Sequence, residues 1–229
     1  MKLIARYDYR EGVKIPKSGP AIVVSNHVSY LDAFALAFFL YSHGRAPRYL
    51  GKSQVFRVPI IGKILLAAEQ IPVERESKEA RVALQYALRL LEMGHLVGVY
   101  PEGTLTRDRE YWPMIAKTGA ARLAVIAKVP VYPAAQWGTQ EVLPPYRKKL
   151  RIFPRATVRY RVGEPVDLSR WYGKEEDPVA MAEATAHIMS AITVLLEEIR
   201  GQERPATIFD PHTSDLPRTG NFRKGAKKL

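Results

Sequence analysis

Cysteine is absent from this 229-residue chain, which excludes disulfides, thiolate catalysis and cysteine-bound metal. The five histidines, at positions 27, 43, 95, 187 and 212, make no HExxH pair or other compact ligand spacing, so no metal site is expected. No run approaches the roughly 20 consecutive apolar residues of a conventional transmembrane helix. Arg6, Asp8, Arg10 and Glu11 make the start too polar for a secretory signal, and exposure to the cytosol is the expectation. Helix-turn-helix, zinc-finger and RNP-like patterns are missing as well, so nucleic acid is not an expected partner. There is no internal repeat.

What the chain does have is positive charge and enough apolar residues for a core. With 35 basic and 23 acidic residues the formal charge is +12, which favours an anionic partner such as a phospholipid surface, a phosphorylated metabolite or an acidic protein. A hydrophobic content of 47% suits one sizeable α/β domain, expected over residues 21–200. Residues 1–20, with Pro16 and Gly19-Pro20, read as a lead-in. Residues 201–229, ending in Arg223, Lys224, Lys227 and Lys228, read as a basic, flexible tail.

Between those limits strands and helices alternate. The apolar run 22–24 stops at Ser25-Asn26-His27, and a helical pattern follows over 31–41. Tyr49 and Leu50 suggest a brief strand. Residues 55–68 are apolar but broken by Pro59 and Gly62, giving short helices that either meet a membrane interface or wall a hydrophobic pocket. Ile71 and Val73 mark a strand that ends at Arg75, and Ser77 caps a helix that Gly94 stops. A strand over 96–100 runs into Pro101-Glu102-Gly103-Thr104. A helix over 115–125 and a short strand over 129–132 come next, Pro130 and Pro133 weighing against an interior position for that strand. Residues 143–149 form a turn with a basic patch, 157–162 a strand, and Asp177-Pro178 opens a helix with Ile188, Ile192, Leu195 and Ile199 on one face. This order predicts an α/β fold with a mostly parallel central sheet flanked by helices.

His27, just beyond the first strand, sits where a sheet rim leaves side chains accessible. Asp32 follows five positions later, and a strand-to-helix turn can fold its carboxylate under the ring. Either the two are a general base and its orienter, or His27 caps a helix with Asp32 as a local polar partner. Arg75 is either surface decoration or, if its strand ends at the same rim, a planar group suited to a phosphate monoester.

Taken together, Asn26-His27-Val28-Ser29-Tyr30-Leu31-Asp32 and Tyr100-Pro101-Glu102-Gly103-Thr104 resemble the glycerolipid acyltransferase family, which includes 1-acylglycerol-3-phosphate acyltransferases. His27 and Asp32 match its NHxxxxD motif, and Glu102-Gly103-Thr104 the centre of its FPEGTR-like motif. Ile71-Pro72-Val73-Glu74-Arg75 resembles the block between them, and Val129-Pro130-Val131-Tyr132-Pro133 the later VPxxP block. The four ordered blocks cover about residues 20–165.

The resemblance implies acyl transfer from acyl-CoA or acyl carrier protein, as co-substrate rather than bound cofactor, to a lysophospholipid hydroxyl. It makes His27 the general base and Asp32 its orienter, with Arg75, Glu102, Gly103 and Thr104 around the phosphate-bearing acceptor. It also implies peripheral attachment to an anionic phospholipid surface at the cytoplasmic face of the membrane. Leu105 departs from the family, many relatives having arginine there; Arg107 replaces that charge if the segment is extended. Lys117 is a second candidate at the acceptor. Segments 55–68 and 129–132 are the expected walls of an acyl groove, and Asp32→Asn is expected to keep the geometry while losing charge.

Overall fold

The apolar run after Pro20 forms β2 (Ala21–Ser25), and all five of its residues are buried, as expected of a strand covered on both faces. The computed structural model describes residues 5–9, 15–67, 69–73, 79–147 and 149–214. Alternation along β2 divides the core. Ala21 and Val23 pack with Ala35, Leu36, Phe39 and Leu40 of α1 (Asp32–Ser42). Ile22 and Val24 meet the opposite layer, built from α4 (Glu79–Glu92), α5 (Gly119–Ala127) and α7 (Pro178–Arg200).

The sheet also contains β1 (Arg6–Tyr9), β3 (Pro47–Lys52), β4 (Ile71–Val73), β5 (Leu96–Val99), β6 (Val131–Trp137) and β7 (Thr157–Val162), in the spatial order β1-β7-β6-β2-β5-β3-β4. Every pairing is parallel except β6 with β7, so the expected mostly parallel architecture is the observed one. Val24 lies opposite Val99, and Tyr49 opposite Gly98. The carboxyl ends of β2, β5 and β3 therefore share one rim, where ligands bind in open α/β sheets. The short helices α2 (Ser53–Phe56) and α3 (Ile61–Ala67) leave the same rim after β3, and α6 (Thr139–Val142) leaves it after β6.

Several elements differ from expectation. Residues 6–9 are no lead-in but an edge strand parallel to β7. Tyr7 and Tyr9 pack on Phe38 and Phe39, at ring separations of 5.3 and 5.0 Å, while the alternating Arg6 and Asp8 make the segment read as polar. The helix expected from 115 begins at Gly119, because Met114 and Lys117 give their N–H groups to the preceding loop.

Pro133 does sit in an interior strand. Its carbonyl accepts from Gly163 N–H on the β7 side, and its missing N–H faces that same side, beyond the ladder that starts at Ala134. Residues 202–214 are not a free tail: Ile115 N–H donates to Phe209 O, and Arg204 pairs with Glu197 at 2.8 Å. The basic residues from 223 onward, together with Ser77, Lys148 and Arg75, lie outside the described residues.

Among the described residues one helix, α7, is long and apolar enough to cross a membrane by length and composition. Its Met181, Ala184, Ile188 and Ile192 are buried against the sheet. Asp177 accepts from Val179 and Ala180 N–H at its start, and Gly201 closes it.

Candidate active site

His27 follows β2 directly, and Asp32 is the first residue of α1. The four residues between them turn so as to bring the Asp32 carboxylate to 2.8 Å from His27 Nδ1. That oxygen, Oδ2, also accepts from Val28 N–H at 2.6 Å and Ser29 N–H at 2.8 Å, while Oδ1 accepts from the Thr139 hydroxyl of α6 at 2.5 Å. Asp32 is fully buried, and these four donors take the place of water. Every hydrogen points toward the carboxylate, so it is an acceptor only. Its bond to the imidazole requires the proton on Nδ1 and leaves the Nε2 lone pair basic. The His27 side chain keeps 19% exposure against none for Asp32, so solvent reaches the ring and not the carboxylate.

A second loop holds the His27 backbone. Thr106 N–H donates to His27 O at 2.7 Å, and His27 N–H donates to Glu102 Oε1 at 3.1 Å. The other oxygen of Glu102 accepts from Met114 N–H at 3.1 Å. Glu102 was expected against the acceptor. It is instead buried, with both oxygens bonded to backbone, and it ties the two site loops together.

Burial pushes the Glu102 carboxyl up to about 8, the Met114 and His27 N–H groups opposing part of that rise. From the ordinary 4.5 to about 8 the folded protein holds a proton that the unfolded chain has released, so this group's contribution to stability is present below that window and lost as pH rises through it. Glu102→Gln should therefore flatten the dependence of Tm on pH between about 5 and 8. Its slope is the readout, because the new amide turns a donor toward one of the two N–H groups and lowers Tm throughout. Parallel slopes for wild type and variant would contradict the assignment.

Aromatic stacking fixes the ring plane. The His27 imidazole lies on Tyr100, at a centroid distance of 4.3 Å and 26° between planes, and Tyr49 of β3 continues the stack at 6.1 Å and 17°. Tyr49 reaches this position over Gly98, where an added Cβ would lie 2.1 Å from its ring. Asn26 and Gln136 complete the scaffold across β2 and β6. The Asn26 amide donates to Gln136 O and accepts Gln136 N–H, while the Gln136 amide donates to Asn26 O and accepts the Tyr160 hydroxyl, all between 2.7 and 3.0 Å.

The remaining candidates are distributed unevenly. Gly103 adopts φ +68°, a conformation that favours glycine. The aliphatic part of Lys117 crosses it, 3.3 Å from where a Cβ would be. Lys117 is exposed and Thr104 half-buried at the same turn. Arg107 is buried on the segment that binds the His27 carbonyl. Burial raises the Tyr30 hydroxyl, and the Arg107 charge acts against that rise.

Two open hollows of about 420 and 440 Å³ share Tyr111 and Trp137, and His27 lines neither. Val131 and Tyr132 are buried within the sheet, and Val131 lies opposite Ile22, toward the end of β6 away from the rim that carries His27. Thr139, Gln136 and Met114 went unnoticed in the sequence, and Tyr100 was read there without a role of its own. Only Tyr100 carried a signal, standing directly before Pro101-Glu102-Gly103-Thr104.

The family model described as Acyltransferase matches residues 6–137. The chloroplastic 1-acyl-sn-glycerol-3-phosphate acyltransferase BAT2 of Brassica napus is 30% identical over 69% of this chain and 42% of its own length. The 1-acyl-sn-glycerol-3-phosphate acyltransferase of Bacillus subtilis is 29% identical over 69% of this chain and 75% of its own. The chain thus spans less than half of the plant relative. In fold it is similar to the crystal structure of the LPA acyltransferase PlsC from Thermotoga maritima, with a TM-score of 0.67 and 22% identity over 89% of this chain and 76% of that one. Since the matched residues 6–137 make up more than half of its length, the chain belongs to the acyltransferase family.

Proposed function

We propose that the protein transfers an acyl group from an acyl thioester, acyl-CoA or acyl carrier protein, to the free hydroxyl of 1-acylglycerol-3-phosphate, forming phosphatidate. The observation that carries this reading is the imidazole whose Nδ1 is held by a buried, fully bonded carboxylate. The hydroxyl oxygen attacks the thioester carbonyl carbon while its proton passes to His27 Nε2. The carbon–sulfur bond then breaks, and the imidazolium returns that proton to the departing thiolate. No covalent enzyme intermediate is needed, because a thioester is already activated toward attack.

In this reading Gly103, Thr104, Arg107 and Lys117 face the acceptor side, with Arg75 as the principal phosphate ligand. Glu102 acts at one remove, by holding the His27 loop. The acceptor is presented at an anionic phospholipid surface, with the protein peripheral at the cytoplasmic face.

A panel of acceptors and donors, with the acylated product identified by mass, tests the reaction. Acceptor-dependent release of thiol is the expected result; vesicle binding without thioester consumption across the panel would overturn it. Within the same panel Arg75→Ala should raise KM for the phosphorylated acceptor by roughly tenfold or more, the effect of losing a charge-assisted contact, with a smaller effect on donor KM. Equal impairment toward an unphosphorylated acceptor would count against the phosphate role.

A further inference from the structure

Two connections leave the rim that carries His27, one on each side of it. On the β3 side is the α2–α3 hairpin, where Val55, Val58, Ile60, Ile64 and Leu66 are all exposed, Ile60 by 72%. On the β7 side is the loop from α6 to β7, where Leu150 and Ile152 are exposed and Phe153 is 89% exposed. The sheet order puts β2 between them, with β5 separating it from β3 and β6 from β7. At about 4.8 Å per strand, the two projections leave strands roughly 19 Å apart, with His27 near the middle.

Both projections are built to hold apolar side chains outward. Ile60 adopts φ +69°, a left-handed conformation that a β-branched residue rarely takes. The hairpin beneath it closes backbone to backbone, since a Cβ at Gly62 would lie 1.9 Å from Phe56 O. The other loop is pinned by Arg151 N–H donating to Val142 O at 2.7 Å. Apolar groups displayed on tied backbone in this way mark an interaction surface.

Charge selects the occupant. None of the chain's 23 acidic residues falls within 49–68 or 143–156. Exposed Arg57 and Lys63 accompany the first projection, and exposed Arg147, Lys149 and Arg151 the second. Apolar residues flanked by cations of one sign match an anionic bilayer, whose interior takes the side chains and whose headgroups take the charges. A second copy of this chain would bring like charges together.

We propose that these two projections are the feet on which the protein stands on anionic lipid, with the His27 opening facing the headgroups between them. This deepens the lipid-surface part of the proposed function and does not depend on its chemistry. The test is co-sedimentation of the full chain with vesicles of phosphatidylcholine alone or mixed with phosphatidylglycerol, for wild type, Ile60→Asn, Phe153→Ser and the double variant.

Each single variant should weaken binding to the mixed vesicles about tenfold, and the double variant more than either. Tm should stay level for Phe153→Ser and stay level or rise for Ile60→Asn, since asparagine tolerates the left-handed backbone. Unchanged binding by the double variant would overturn the proposal. So would an effect confined to one foot, equal binding to both vesicle types, or a lipid-free wild-type dimer that the variants dissociate. Because the vesicle measurement needs no turnover, its failure is distinct from failure of the acyl-transfer reading.

Discussion

His27→Ala is expected to lower kcat by roughly 10²–10⁴, the range typical for loss of a positioned general base. An alcohol is a weak nucleophile until its proton has an acceptor, and the imidazole is the group that the site orients most completely. Its backbone is held by Glu102 and Thr106, its Nδ1 by Asp32 and its ring plane by Tyr100. The side chain is partly open to solvent, so water can fill the space its truncation leaves. The Asp32 carboxylate keeps the Val28, Ser29 and Thr139 donors. Circular dichroism and Tm should therefore remain near wild type while turnover collapses. Near-wild-type kcat from a folded His27→Ala protein would remove the general base from the mechanism.

Asp32→Asn is expected to damage both turnover and folding, more than the sequence suggests. An amide is close in shape to a carboxylate, which favours a substitution that preserves the geometry. The cost lies in the donors: all four partners of Asp32 approach as donors, and of them the Thr139 hydroxyl can turn to accept instead. The amide fits with its NH2 group donating to Thr139 Oγ1 and its oxygen accepting from Val28 N–H, Ser29 N–H and His27 Nδ1, and the Thr139 hydroxyl proton then loses its carboxylate acceptor.

Leaving that one buried donor unsatisfied costs about 1–3 kcal/mol, roughly 2–12 °C in Tm for a chain of this size. Loss of the carboxylate also frees the imidazole to take the wrong tautomer, and a drop in kcat of about 10²–10⁴ is expected. Thermal unfolding and kcat measured on one preparation check both parts. An Asp32→Asn protein with wild-type Tm and kcat would mean that the carboxylate is neither orienter nor anchor.

Local signals in the sequence carried the sheet and half of the site. The run 22–24, the abrupt polar turn after it and the apolar residues of α1 lie within twenty positions, and their pattern belongs to one strand and one helix. The Thr157–Val162 strand was legible for the same reason, its side chains alternating between buried and half-buried. β1 was not: tyrosines interleaved with Arg6 and Asp8 look like a polar leader until Phe38 and Phe39 are there to receive them.

The other half of the site depends on distance along the chain. Thr139 is an ordinary helix-start threonine in the sequence, and nothing local connects it to Asp32. Gln136 lies in an apolar strand as an apparent irregularity, although it is the residue that joins β6 to Asn26. Glu102 was found as part of its motif, but its partners at residues 27 and 114 decide that it serves backbone rather than ligand.

The span of those contacts has a consequence for biosynthesis. Asn26 bonds to a residue 110 positions later, Asp32 to one 107 positions later, and Arg6 in β1 pairs with Thr157. At roughly 5–20 residues per second on the ribosome, the first two partners emerge about 5–20 s after the histidine turn. Until then the β2 segment can pair with β5 but lacks β6, and the edge that β6 will cover is open to association with other chains. A nascent chain stopped before Thr139 would carry the whole histidine motif and still lack a finished centre, making chaperone protection most valuable during that interval.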